Sequence, residues 1–140
     1  MDRSHATRRF GRVVWLGIGA NMVLSFWGLL HPESLLATVG LEPATPTVWP
    51  RFASLLLILL SLFYVPAARD PVGNRLSALL TVGARAAGVV FFGLQGGPYV
   101  LFGLYDLTFG LPQAVLLARV LRPRAIAAAA ATDSGVSWPA

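Results

Sequence analysis

Between Leu76 and Leu121 the chain carries two long apolar stretches, and each holds one charge near its middle. Arg85 lies within Leu76–Leu94 and Asp106 within Tyr99–Leu121, and Gln95-Gly96-Gly97-Pro98 joins the two. A lone Arg or Asp at mid-membrane costs about 2.5–3.5 kcal/mol on an insertion scale. Each charge therefore needs a partner, and the two are opposite in sign. Helices rise about 1.5 Å per residue. Arg85 stands ten residues before Gln95 and Asp106 eight residues after Pro98. Antiparallel packing of two helices joined there brings the charges to nearly the same depth. This pairing restricts the possible folds more than any other feature.

Composition places the rest of the chain in the same solvent. Of 140 residues 56% are hydrophobic and 12% charged, and the mean hydropathy is +0.67. A soluble domain carries roughly 25% charged residues, so this chain has too little polar surface to cover a globule. Two further apolar runs, 13–30 and 49–65, bring the expected spans to four, with 76–94 and 99–121 as the third and fourth. The fold class is an all-α integral membrane protein: an up-down four-helix transmembrane bundle over residues 13–121.

The connecting segments carry their own signals. Residues 1–12 form a basic lead. Its Arg8-Arg9-Phe10 run resembles a twin-arginine signal, but no small-residue cleavage site follows, and an uncleaved first span fits better. Pro32-Glu33 followed by Ser34–Val39 and Gly40 predicts a short interfacial helix in the first loop, with Pro in its first turn, Glu33 at the positive end of the dipole and Gly at its stop. Pro43, Pro46 and Pro50 then keep the chain extended. Pro66 and the Arg69–Arg75 segment predict an abrupt polar turn. Pro112 should kink the fourth span, with Gln113 beside it to help satisfy the freed backbone groups. Residues 122–140 are expected to be a mobile tail with at most a brief helical start.

The net charge of +5 comes from eleven arginines and no lysine. Nine arginines sit in the lead, the Arg69/Arg75 turn and the Arg119/Arg122/Arg124 end, whereas the opposite loops hold Arg51 against Glu33 and Glu42. The positive-inside rule then predicts both termini in the cytoplasm of a bacterial-type inner membrane. Arginines scattered beside apolar runs argue against nucleic acid as a partner. The absence of cysteine excludes disulfides and thiolate chemistry within the chain.

Asn21, Arg85 and Asp106 fall near the centres of their spans, Arg51 is placed to reach towards Asp106, and Gln113 lies on the same face as Asp106. These five residues form the candidate polar cluster. Two readings stay open: a ligand, ion or proton site, or a structural pair that sets helix register. His31 reads as an interfacial or capping histidine, without a second histidine at ligand spacing. Trp15, Trp27, Trp49, Tyr64, Tyr99 and Tyr105 read mostly as an aromatic belt. Gly17, Gly28 and Gly88 read as faces for close approach of a partner helix. No nucleophile has a base beside it, no paired carboxylates or phosphate-binding glycines occur, and no cofactor or metal is indicated.

The proline-containing first loop with its Gly40-Leu41 turn, Arg51 opening the second span, the Arg69-Asp70-Pro71 turn and Arg85 in the third span together resemble the small four-span membrane proteins of the DoxX-like group. Some members of that group serve as membrane subunits near quinone-linked oxidoreductases. The resemblance implies a non-catalytic accessory subunit whose partners are lipid and another membrane protein or a second copy. The alternative expectation is a small carrier or binder of a lipid-like ligand that uses the Arg85/Asp106 site.

Overall fold

In the first span the buried positions recur every three or four residues: Ala6, Phe10, Val14, Ile18, Asn21 and Ser25. That spacing is one stripe of an α-helix, and its small and apolar members let neighbours close around it. The computed structural model describes residues 3–133, with side-chain environments over 5–121. All its regular structure is helical: α1 Arg3–Leu30, α2 Pro32–Thr38, α3 Val48–Phe63, α4 Val65–Arg69, α5 Arg75–Gln95, a 3-10 turn Gly97–Tyr99 and α6 Val100–Asp133. Four helical segments are long and apolar enough to cross a membrane: His5–Leu30, Val48–Arg69, Arg75–Gln95 and Gly97–Leu121.

Side-chain pairs fix the register. Asn21 meets Ser61 and Gly28 meets Ser54, so α3 runs antiparallel to α1. Arg85 meets Asp106 and Gly103 lies against Val89 and Phe92, so α6 runs antiparallel to α5. Gly17 faces Phe109 and Gln113 while Asn21 meets Tyr105, which sets α6 antiparallel to α1 as well. The order around the bundle is α3, α1, α6, α5, and α4 packs against both α1 and α5 at the Asp70 end. Along most of their length α3 and α5 stand apart, so the bundle has a seam.

The core lies at that same Asp70 end, where Phe10, Val14, Tyr64, Ala67, Ala68, Ala78 and Leu117 cluster. Three boundaries differ from those read in the sequence. The helix that forms the first span begins at Arg3, well ahead of residue 13, because Ala6 and Phe10 extend the buried stripe into the basic lead. The second span does not end at Val65. Tyr64 keeps right-handed helical backbone angles, and Pro66 falls in the first turn of α4, where its missing N–H costs nothing. The helical path reaches Arg69, and the turn proper is Asp70–Asn74. There Asp70 Oδ1 accepts hydrogen bonds from the backbone N–H groups of Val72 and Gly73, an Asx turn. Finally, α6 runs uninterrupted through Pro112 and on to Asp133, so helix continues past residue 122, where the tail was expected to start. Residues 134–140 lie outside the described residues.

The first loop follows its signals. Pro32 occupies the first turn of α2, Glu33 follows it, and Gly40 adopts φ +76° where the chain leaves the helix. His31 is exposed and makes no side-chain cap; only its backbone carbonyl takes part, accepting from Leu35 N at 3.1 Å.

Candidate functional site

One polar layer crosses the bundle and takes a side chain from every span. Arg85 is 2% exposed and Asp106 19%. Arg85 Nη1 donates to Asp106 Oδ1 at 2.8 Å, and Nη2 donates to Asn21 Oδ1 at 3.1 Å with a longer contact of 3.5 Å to the Gly17 carbonyl. Tyr105 OH donates to the same Asn21 oxygen at 2.8 Å. Asn21 Nδ2 then donates to Ser61 Oγ at 2.8 Å, and Ser61 Oγ donates to the Leu57 carbonyl at 2.7 Å. The guanidinium is flanked by two rings, with Cζ 5.5 Å from the Tyr105 centroid and 5.2 Å from that of Phe109, within cation–π range.

The layer forms because glycines clear the space for it. A Cβ on Gly88 would overlap the Asp106 carboxylate, one on Gly110 would lie 2.9 Å from Arg85 Cβ, and one on Gly17 would lie 3.1 Å from Arg85 Nη2. The helices can thus approach until a short, charge-assisted hydrogen bond spans them. Gly28 likewise admits Ser54. Gly17, Gly28 and Gly88, expected to receive a partner helix, are instead filled from within the chain.

Of the five candidate residues, Asn21, Arg85 and Asp106 bond directly. Gln113 is buried beside them with Nε2 towards Gly17, and its Oε1 accepts no hydrogen bond. Arg51 does not belong. It is exposed and lies ten residues, about 15 Å of helix, from Ser61, which marks the level of the layer on α3. Two participants, Tyr105 and Ser61, escaped the sequence reading. Tyr105 was assigned to the aromatic belt, yet its hydroxyl completes the network, and its place beside Asp106 was the available signal. Tyr64, also assigned to the belt, is 4% exposed and belongs to the core. Ser61 donates to the Leu57 carbonyl one turn back, a local bond that serines in helices commonly make, and accepts from Asn21 besides.

On the Leu30 side of the layer a cavity of about 360 Å³ opens along the seam. Its walls are chiefly apolar, with Leu24, Leu57, Phe92 and Phe102 among them, and α2 covers it with Leu35 and Leu36. Five polar side chains line it: Ser25, Ser54, Tyr99, Tyr105 and Asp106. Ser54 is bonded to the Pro50 carbonyl and Tyr105 to Asn21. Ser25 is 1% exposed, and its hydroxyl has no partner. Asp106 lines the cavity and meets Arg85 through Oδ1, while its Oδ2, packed against Gly88, has no hydrogen bond from the described residues. An apolar cavity of this size with a few convergent polar groups suits a small molecule, and those groups include an acceptor, Asp106, and a buried hydroxyl without a partner, Ser25. Among the described residues no three His, Asp or Glu side chains converge as metal ligands.

Comparison of the chain with known proteins finds no matching family model, no matching curated protein and no matching solved structure.

Proposed function

We propose that this chain is a multi-pass membrane protein that binds a small, mostly apolar molecule with a hydroxyl or amine end in the cavity beside Asp106. One observation carries this reading: a hydroxyl buried without a partner, Ser25, shares an apolar cavity with a carboxylate whose second oxygen is free. Buried polar groups are rarely left unsatisfied, and a ligand donor to Asp106 that also bonds Ser25 satisfies both. The Arg85 bond occupies Oδ1 and leaves Oδ2 as the remaining acceptor. The arginine distribution supports an orientation with the Asp70 turn and both ends of the chain on the cytoplasmic side. The cavity then lies in the outer half of the bilayer, with α2 at the interface.

A second reading, a non-catalytic accessory subunit of a larger complex such as a quinone-linked one, draws on Gly19, Gly83 and Gly93. These glycines are exposed, and a Cβ on any of them would meet nothing within 4 Å, so another helix can approach there. One experiment addresses both readings. The protein and its Ala53→Trp variant, which fills the cavity from α3, are purified in mild detergent and everything carried along is identified by mass spectrometry. A hydroxyl- or amine-bearing apolar compound retained by the parent and reduced at least tenfold in the variant supports binding. Equal retention, or no such compound, refutes it. A stoichiometric second protein supports the accessory reading.

A further inference from the structure

On the far side of the polar layer, between α1 and α6, a second groove of about 500 Å³ faces outwards. It is lined by Val13, Leu111, Pro112, Val115 and Leu116, with Arg9 and Arg12 at its mouth. We infer that it holds an anionic phospholipid of the leaflet on the Asp70 side, with the phosphate at the arginines and an acyl chain along α6. This inference rests on the membrane placement proposed above and is independent of the ligand cavity.

Depth is the first support. Asn21 and Asp106 lie in one layer, joined through Arg85. At about 1.5 Å per residue, Arg12 and Arg9 stand roughly 14 and 18 Å from that layer along α1. Leu111 and Leu116 stand roughly 8 and 15 Å from it along α6. The hydrocarbon half-thickness is about 15 Å. The apolar walls thus fall within acyl-chain depth and the guanidinium groups at the level of the lipid phosphates.

Charge is the second support. Arg119 lies one helical turn beyond Val115, on the face that forms the groove wall, and is exposed. Arg9 and Arg12 therefore line the groove, with Arg119 a helical turn past its wall. Arginine forks match phosphate oxygens, and basic pockets beside membrane helices recognise anionic head groups. A shallow apolar channel capped by cations fits one long acyl chain and an anionic head.

The test uses the full chain, purified and delipidated in a non-ionic detergent, with lipid binding followed by native mass spectrometry. The probes are dioleoylphosphatidylglycerol, dioleoylphosphatidylcholine and glycerol 1-phosphate. The phosphatidylglycerol is expected to bind at least tenfold more tightly than the zwitterionic lipid, and glycerol 1-phosphate should not compete. Arg12→Gln combined with Arg119→Gln should weaken phosphatidylglycerol about tenfold to thirtyfold, since each arginine near a membrane surface is worth about a factor of five. Val115→Trp keeps the charges, blocks the channel and should weaken it similarly. Arg69→Gln combined with Arg75→Gln removes as much charge from the neighbouring turn and should leave binding within twofold of the parent. Equal binding of the two lipids overturns the inference, as does full binding by Val115→Trp. Equal losses in the two double-arginine variants would show diffuse attraction in place of a site, and competition by glycerol 1-phosphate would show a phosphate site that needs no lipid. Placement in the membrane is checked separately by the labelling experiment described below, so failure of the groove and failure of the placement are distinguishable.

Discussion

Arg85 holds the centre of the bundle through three contacts of different kinds: an ion pair to Asp106, a hydrogen bond to Asn21, and the rings of Tyr105 and Phe109. Removing one member of such a pair leaves the other charged and buried, at a cost of about 3–5 kcal/mol. Arg85→Leu and Asp106→Leu should each lower stability by about that amount in a reversible denaturation assay in detergent. The double variant should recover most of the loss, because two leucines of similar bulk bring no unpaired charge. It should nevertheless fail to retain the cavity compound, since the Asp106 acceptor is gone. If the single variants are as stable as the parent, the pair does not hold the spans together.

At the scale of the helices, glycines decide how closely the elements meet. Gly110 lies against Arg85 Cβ and Gly88 against the Asp106 carboxylate, whereas Gly83 on α5 faces open space. Gly110→Ala should therefore cost about 1–3 kcal/mol through overpacking between α5 and α6. Gly83→Ala meets nothing and should be neutral or stabilising by up to about 1 kcal/mol, from helix propensity alone. Thermal unfolding of the two variants side by side checks this, and equal losses would mean that α5 and α6 are not in the close contact described. The seam between α3 and α5 is also an element-scale feature. At the Asp70 end the two are joined by a hydrogen bond from Ser77 Oγ to the Phe63 carbonyl at 3.0 Å and by α4, which touches α5; the cavity beside Asp106 opens on the opposite, Leu30 side.

For the whole molecule, nine of eleven arginines gather at the ends of the spans that share the Asp70 side. Cysteine introduced at Ser4 should be protected from an impermeant thiol reagent on intact cells, and cysteine at Ser34 in α2 should be labelled. The natural chain has no cysteine, so each signal reports one position. Labelling at Ser4 without labelling at Ser34 would invert the orientation and move the ligand cavity to the cytoplasmic leaflet. The phospholipid groove would move to the outer leaflet in the same event, because the two sites lie on opposite sides of one polar layer.

The sequence alone determined the helical class, the four apolar spans and the meeting of Arg85 with Asp106. Each follows from local rules: apolar run length sets a span, and helical rise with a short joint sets depth. The short α2 was legible for the same reason, since proline, glutamate and glycine act within a turn of where they stand. Only the tertiary structure decided which surfaces face inwards. Gly17 and Gly28 could not be assigned to internal packing until the neighbours of α1 were known. The place of Tyr105 beside Asp106 set it apart from the belt tyrosines, but its partner Asn21, far off in the chain, was visible only in the fold. Arg51 left the cluster because its level on α3 depends on the Asn21–Ser61 register, and no residue within a few turns of Arg51 encodes that register. The cavity was equally illegible: it is space left between α3 and α5, and a gap between helices has no signature along the chain.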